Sequence, residues 1–336
     1  MMLPKLAFAM APAKTRHVFD ERLLARLGTS CDILSAAPLE EFSSPAARSL
    51  LRQAEILVTG WGCPYVSPEL LAGMPRLRLV AHAAGTVKHT LDPAVYEAGI
   101  VVTHAAEANA VPVAEFTLAA IIFANKRVFE LRDLYRSDPS RSSTWALMDE
   151  PIGNYRRTVG LVGASRIGRK VASLLQMLEI DVLLADPFVD ETDPLARLAE
   201  LTDLDDLLAR ADIVSLHAPS LASTRHMIGA RELKLMRDGA TFINTARGAL
   251  VDEAALIAEL QTGRMQAVID VTDPEIPPSG SPFYTLPNVF LTPHVAGAAG
   301  LERLRLGKMV IEEIERFIAG EPLRYAIEPH ILERLA

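Results

Sequence analysis

Three segments in the last third of the chain place polar, chemically capable side chains on otherwise apolar runs. Phe242 to Asp252 passes from an apolar stretch into a glycine-containing turn and offers Arg247, whose planar guanidinium can grip a carboxylate through two parallel hydrogen bonds. Ala267 to Glu275 carries the acids Asp270, Asp273 and Glu275. Val289 to Gly297 carries His294 directly after Thr292-Pro293 and before small residues, a setting suited to access rather than packing. Taken singly, each has a plain structural explanation: a surface ion pair for Arg247, a loop acid for Glu275, a hydrogen-bonded core residue for His294. All three, however, sit at the ends of predicted strands, where ligands bind in an open α/β sheet.

Upstream, Thr158 to Gly168 follows a predicted strand and opens a predicted helix with Val171, Leu174, Leu175 and Leu178 on its apolar face. That is the setting of a dinucleotide phosphate loop. Gly163 supplies the tight turn, the free amides of the helix start receive a diphosphate, and Gly168 lets helix and strand approach. Ser165 occupies the position where a glycine usually lets the backbone meet the pyrophosphate, so its Cβ displaces the phosphate or its hydroxyl replaces the lost contact. The next predicted strand ends at Asp186, 18 residues beyond Gly168, close to the ~20 expected of the acid that holds the ribose hydroxyls. A carboxylate there repels a 2′-phosphate, and Pro187, Phe188 and Val189 supply no arginine to attract one, so NAD is expected rather than NADP. A turn or helix-cap role is the structural alternative for Asp186.

The elements that must position these residues alternate along the chain as βαβ units. Strand candidates in the first third are Lys5–Met10, Ile56–Thr59, Leu77–Ala83, Ile100–Thr103 and the weaker Asp32–Leu34. From Thr158 onward they are 158–162, 181–185, 212–216, 240–245, 265–270 and 289–292, and six is the count of a doubly wound dinucleotide-binding sheet. Pro112 to Glu130 separates the halves and is apolar on more than one helical face, which predicts a helix buried on several sides, with a subunit contact as a second reading. Leu301 to Ala319 reads as the last helix, stopped by Gly320 and Pro322. Trp145, after the polar stretch Arg141 to Thr144, reads as a partly buried loop residue or the anchor of a subunit contact.

Composition narrows the function classes. With 336 residues, half of them apolar, the chain is long enough for two domains, each with its own core, and disorder and collagen-like repeats are excluded. Its 34 Lys+Arg against 42 Asp+Glu leave a net charge of −8 and no basic run, so nucleic acid is not an expected partner. No apolar run reaches the ~18–20 residues of a membrane span, so no membrane partner is expected. Leu6 to Ala11 is too short for a signal core and reads as a buried first strand. Cys31 and Cys63 lie outside any metal spacing and no histidines pair at i, i+4, so no metal is expected, and the thiols read as free in a reducing, cytoplasmic compartment.

Taken together the residues resemble the D-isomer-specific 2-hydroxyacid dehydrogenases, the group containing D-lactate, D-3-phosphoglycerate and hydroxypyruvate/glyoxylate enzymes. The markers are Asn109 with Val113-Ala114-Glu115, the loop ending Arg166-Ile167-Gly168, Asp186-Pro187, His217-Ala218-Pro219, Asn244 to Gly248, Asp270 with Glu275, and Leu291 to His294. The resemblance runs over nearly the whole chain and is densest from Asn109 to Gly300.

It implies an α/β fold of two doubly wound parallel-sheet domains. These would be a Rossmann NAD-binding domain at 107–298 and a flavodoxin-like, discontinuous substrate domain at 1–106 and 299–336, with the active site in the cleft. Arg247 would bind the carboxylate and carbonyl of a small 2-oxo acid, His294 would be the acid/base, and Glu275 rather than Asp273 would pair with the imidazole. The cofactor side would comprise Gly163, Ser165, Arg166, Ile167, Gly168, Asp186, His217, Ala218, Pro219, Thr224, Thr245, Ala246, Asp270 and Gly297. The substrate side would add Trp61, Ala84, Gly85 and Thr86 to Arg247 and His294. A homodimer is implied, and the 42 residues after His294 are too few for an added regulatory domain.

Departures from the family pattern are Ser165, the lack of an aspartate near Val87, and the lack of a glycine in Asn154 to Arg157. Lys88 and His89 place positive charge beside the expected pocket, which would favour a second anionic group on the substrate. Formate dehydrogenase, a relative that sets glutamine beside its histidine, is disfavoured by Glu275. A non-catalytic NAD-sensing or partner-binding protein is the rival from another class.

Overall fold

A computed structural model describes residues 2–328, without the side chains of Arg141 and Ser143. The chain divides into two units, Met1–Asn109 with Ala298–Ala336, and Ala110–Gly297. Of the segment 299–336 expected in the substrate domain, 329–336 lies outside the described residues.

In the first unit the apolar runs form β1 (Lys5–Ala9), β2 (Asp32–Ile33), β3 (Ile56–Thr59), β4 (Leu79–His82) and β5 (Val101–His104). β3 and β4 are buried at every position, as strands covered on both faces must be. All pair in parallel in the order β2-β1-β3-β4-β5, the flavodoxin-like arrangement. Alternate residues of β1 feed two cores: Leu6 and Phe8 join Val18, Leu306, Val310 and Ile314, while Ala7 and Ala9 join Leu57, Val80 and Val102. The helix Arg303–Ala319 therefore belongs to this unit's core. A Cβ on its Gly307 would lie 2.0 Å from the Val18 carbonyl oxygen, so only glycine allows that close approach. Gly320 ends the helix in the left-handed conformation, its amide bonded to the Arg316 and Phe317 carbonyls.

The second unit contains β6 (Arg157–Val162), β7 (Ile180–Ala185), β8 (Glu200–Leu201), β9 (Ile213–Leu216), β10 (Thr241–Asn244), β11 (Gln266–Ile269) and β12 (Val289–Leu291). They form a parallel sheet of seven strands rather than the expected six, ordered β12-β11-β10-β9-β6-β7-β8. The additional strand, β8, is two residues long and leaves no apolar run to read. Strand order reverses between β6 and β9, so the loops that follow them diverge and open a crevice at the carboxyl edge.

Three expectations need correction. The helix separating the halves starts at Ala106, not Pro112, which lies inside it. The His104 ring accepts the Ala106 amide at 3.0 Å and caps the earlier start. This helix, Ala106–Asn125, is the one described helix long and apolar enough to cross a membrane, contrary to the reading that no run qualifies. Its composition has a core explanation, because Ala114, Ile121 and Ala124 pack with Val159, Leu161 and Val171. It ends at Asn125, ahead of Arg127 at φ 49°. Separate helices follow at Val128–Ser137 and Arg141–Met148. Trp145 is thus helical and 53% exposed rather than in a loop.

Candidate active site

The phosphate loop follows β6 and runs into the helix Arg166–Leu175. Gly163 adopts φ 100°, and a Cβ there would lie 2.6 Å from the Ala218 nitrogen. Gly168 is tighter, because a Cβ would meet the Gly163 carbonyl oxygen at 2.2 Å. Ser165 caps the helix by accepting the Gly168 amide at 3.4 Å, so its hydroxyl is directed to the helix start. Arg166 and Ile167 fill the first turn, half-buried. Asp186 closes β7 and ties the loop together: Oδ2 accepts the Ala164 amide at 2.6 Å and Oδ1 the Phe188 amide at 2.8 Å. Each oxygen keeps an acceptor position for a ribose hydroxyl. Phe188 is 82% exposed, and neither it nor Pro187 brings a cation to the acid. These residues fit an unphosphorylated ribose and a diphosphate on the helix start.

Replacing Gly168 with alanine is expected to weaken NADH binding strongly and to destabilise the fold by about 1–3 kcal/mol, because the obstructing atom is backbone and cannot rotate away. A fluorescence titration with NADH, alongside thermal unfolding, reads both effects. Unchanged affinity would mean that this loop does not hold the dinucleotide.

His217 follows β9 and is buried, with its ring Nε2 2.9 Å from Ser215 Oγ. Burial lowers its pKa to about 3, so the ring is neutral packing. What reaches the loop is its backbone, together with that of Ala218, directly beside Gly163. Thr224 braces the next turn, its hydroxyl 2.6 Å from the Pro219 carbonyl and accepting the Leu221 amide.

Arg247 leaves the carboxyl end of β10. Asn244 shapes the turn by accepting the Ala246 amide and donating to the Arg247 carbonyl, each at 3.0 Å. Thr245 is buried and shares a 2.9 Å hydroxyl contact with Thr117. The guanidinium donates Nη1 to the Ala246 carbonyl at 2.6 Å, its one hydrogen bond among the described residues, which leaves donors for a ligand. Burial pushes its pKa below the usual arginine value, while the nearby Glu275 carboxylate opposes that shift.

Asp270 and Glu275 leave β11, and His294 leaves β12. Asp270 is buried, and its carboxylate accepts Thr292 Oγ1 at 2.6 Å, the Val295 amide at 2.8 Å and the Ala296 amide at 3.0 Å. Its carbonyl also accepts the His294 amide at 2.9 Å. This acid is therefore the clamp of the histidine loop, with one acceptor position left on Oδ2. The clamp is needed because His294 sits at φ 53°, a left-handed conformation that side-chain-bearing residues disfavour. Gly297 follows in the same loop. Held in this way, the ring presents Nδ1 to Glu275 Oε1 at 2.5 Å. An ionised carboxylate only accepts, so Nδ1 is the donor and Nε2 is the nitrogen free to exchange a proton. Both side chains are exposed within the described chain, 44% for His294 and 63% for Glu275.

The structure thus brings Arg247, Glu275 and His294 together on the carboxyl edge of β10, β11 and β12, with the phosphate loop on β6 and Asp186 on β7. Among the described residues no cluster of histidine, cysteine and acids has metal-binding geometry. Trp61 and Ala84 to Thr86 belong to the first unit, after β3 and β4 respectively. There Trp61 lies under the Arg303 guanidinium at 5.7 Å and Ala84 accepts the Ala105 amide. Sequence reasoning missed the bracing groups Thr117 and Thr272. Thr272 lies in the acid segment, its hydroxyl 2.8 Å from the Pro274 carbonyl and 3.1 Å from that of Glu275.

Residues 118–296 match the D-isomer specific 2-hydroxyacid dehydrogenase family, NAD binding domain. This chain belongs to that family. Its second unit is the family's NAD-binding domain, as the glycine cradle and Asp186 require. The chain is 32% identical over 327 residues to a glyoxylate reductase of Aeropyrum pernix, covering 95% of each chain. It is 31% identical to a D-3-phosphoglycerate dehydrogenase of Archaeoglobus fulgidus over 78% of this chain and 49% of that one. It therefore spans about half the length of the phosphoglycerate dehydrogenases it matches. A solved Thermus thermophilus protein, 28% identical, superposes with a TM-score of 0.74 over 96% of this chain and all of that one.

Proposed function

We propose that this protein is an NAD-dependent D-2-hydroxyacid dehydrogenase that interconverts a small 2-oxo acid and its D-2-hydroxy acid, working as a cytoplasmic homodimer. The observation that carries the reading is the contact between His294 Nδ1 and Glu275 Oε1 at 2.5 Å on the sheet edge that also presents Arg247. What NADH supplies when bound is a hydride for C2 of the oxo acid. Arg247 binds the substrate carboxylate and polarises the carbonyl. His294 holds a proton on Nε2 and passes it to the carbonyl oxygen as negative charge develops there. Glu275 fixes the ring and stabilises the imidazolium before transfer. In the oxidative direction the same nitrogen takes the hydroxyl proton. Trp61 and Ala84 to Thr86 contribute the substrate side, with the loop amides as carboxylate donors. The cofactor side uses the phosphate loop, the His217 to Pro219 backbone, Thr224, Thr245, Ala246, Gly297 and the remaining acceptor of Asp270.

The test follows NADH absorbance with glyoxylate, hydroxypyruvate, pyruvate, phenylpyruvate and 2-oxoglutarate in parallel, and then repeats the best substrate with NADPH. Turnover on at least one of them, with NADH strongly preferred, is expected. Silence on the panel despite NADH binding would favour the sensor reading, and a preference for NADPH would remove Asp186 from the ribose site. Formate dehydrogenase remains disfavoured, because an acid rather than an amide meets His294.

A further inference from the structure

Glu253 lies outside every role assigned above, yet it touches the segment that carries Glu275. It opens the helix Glu253–Gln261 directly after the cap residue Asp252. Rather than pointing along the helix, its Oε1 accepts the Asp273 amide at 2.6 Å, a contact between residues 20 apart. Beneath that amide lies Gly248, the residue after Arg247. A Cβ on Gly248 would stand 2.1 Å from the Thr272 carbonyl carbon and 2.4 Å from the Asp273 nitrogen. The acid segment therefore rests on the turn that presents Arg247, with glycine required at the point of contact. From above, the Thr272 hydroxyl ties the Pro274 and Glu275 carbonyls back to the same segment. Burial raises the Glu253 pKa, and the charge of Asp273 adds to this, while the Asp273 amide and His226 oppose it. Arg225 reaches Asp273 at 3.5 Å. A partly buried acid in such company, spent on a single loop amide, does more than complement a helix dipole.

We propose that Glu253 is a positioning residue for the acid/base pair: its carboxylate and the Gly248 contact seat the Thr272–Glu275 segment on the Arg247 turn, and so hold Glu275 against the His294 ring. The inference rests on the reading of His294 and Glu275 as that pair. Glu253 is expected to touch neither substrate nor cofactor.

Two variants of the full chain, Glu253→Ala and Glu253→Gln, test it. Alanine removes the acceptor, whereas the glutamine amide oxygen can still take the Asp273 N–H. With an oxo acid that the wild-type protein reduces, Glu253→Ala is expected to lower kcat by about 10- to 100-fold, the scale of a small misplacement of a catalytic group. The limb of the pH–rate profile belonging to the His294–Glu275 pair should move with it, and NADH affinity should stay unchanged. Glu253→Gln should restore both. If the alanine protein is too unstable to assay, the near-isosteric Thr272→Val should shift the same limb.

A readout independent of turnover separates this inference from the proposed function. The His294 Nδ1 proton, observed by NMR in the protein alone, should lose its downfield position in Glu253→Ala and regain it in Glu253→Gln. A wild-type protein that reduces no oxo acid defeats the function, while the NMR comparison still decides the positioning role. Unchanged kcat, pH profile and Nδ1 resonance in Glu253→Ala, or a glutamine variant as impaired as the alanine one, would overturn the inference.

Discussion

Replacing His294 with alanine is expected to reduce kcat for a 2-oxo acid by about 100- to 10,000-fold, the usual worth of a positioned general acid, while NADH still binds. The size of the effect follows from the lack of a substitute. Glu275 meets the ring through Nδ1 and lies on the far side of it from Nε2, and a guanidinium is a poor proton donor at neutral pH. Water is then the remaining acid. NADH affinity should be largely retained because the proposed diphosphate and ribose contacts, the glycine cradle and Asp186, are built on β6 and β7, and the β12 loop adds only Gly297 to the proposed cofactor side. One structural effect has to be separated from the chemical one. His294 holds φ 53°, where alanine is disfavoured and asparagine is tolerated, so His294→Asn serves as the backbone control. Both variants should lose turnover alike, the asparagine protein with the smaller loss of thermal stability. Oxo-acid-dependent NADH oxidation is the assay, and near-wild-type turnover in either variant would remove His294 from the chemistry.

Much of this arrangement is legible in the sequence, and the legible parts share a physical cause. Parallel strands covered on both faces leave short unbroken apolar runs, so Ile56–Thr59 is a strand by inspection and in the structure alike. Arg247, Glu275 and His294 stand out because reactive side chains end such runs where packing gives no reason for them. What escapes is tertiary or short. The two residues of β8 carry no periodicity. The helix Arg141–Met148 opens on Ser and Thr, which also read as loop, so Trp145 is misplaced. Asp270 is visible as an acid at a strand end. That its oxygens turn to the Val295 and Ala296 amides depends on a neighbouring loop 25 and 26 residues away. The Thr117–Thr245 contact joins residues 128 apart, and no local pattern announces it. The left-handed His294 is equally silent, since neither glycine nor asparagine marks the position. Motif reasoning thus finds the candidate reactive groups, while much of what holds them is set by contacts distant in sequence.

Exchanging Arg247 for lysine is the harsher test of substrate recognition, because charge is kept and only geometry is lost. A lysine ammonium can neutralise a carboxylate but cannot present two parallel N–H groups to it. Losing one charged hydrogen bond corresponds to about 1.5–3 kcal/mol, so kcat/KM for the oxo acid should fall by about 10- to 150-fold, with both KM and kcat affected. KM rises because the carboxylate is held less well, and kcat falls because the carbonyl is less polarised as the alkoxide forms. Arg247→Ala should be worse still, since it also leaves Glu275 without its cationic neighbour. Added guanidinium should restore part of its activity by entering the vacated space. NADH affinity should change little, because among the described residues the guanidinium makes no hydrogen bond to the phosphate loop or to Asp186, and its bond to Ala246 reaches the proposed cofactor side only through that residue's carbonyl. An oxo-acid KM that is unmoved in Arg247→Lys would mean that the carboxylate is held by other groups. Lowering the pH offers no escape from the loss, because arginine and lysine side chains are both cations in acid and the lysine variant differs in shape rather than charge.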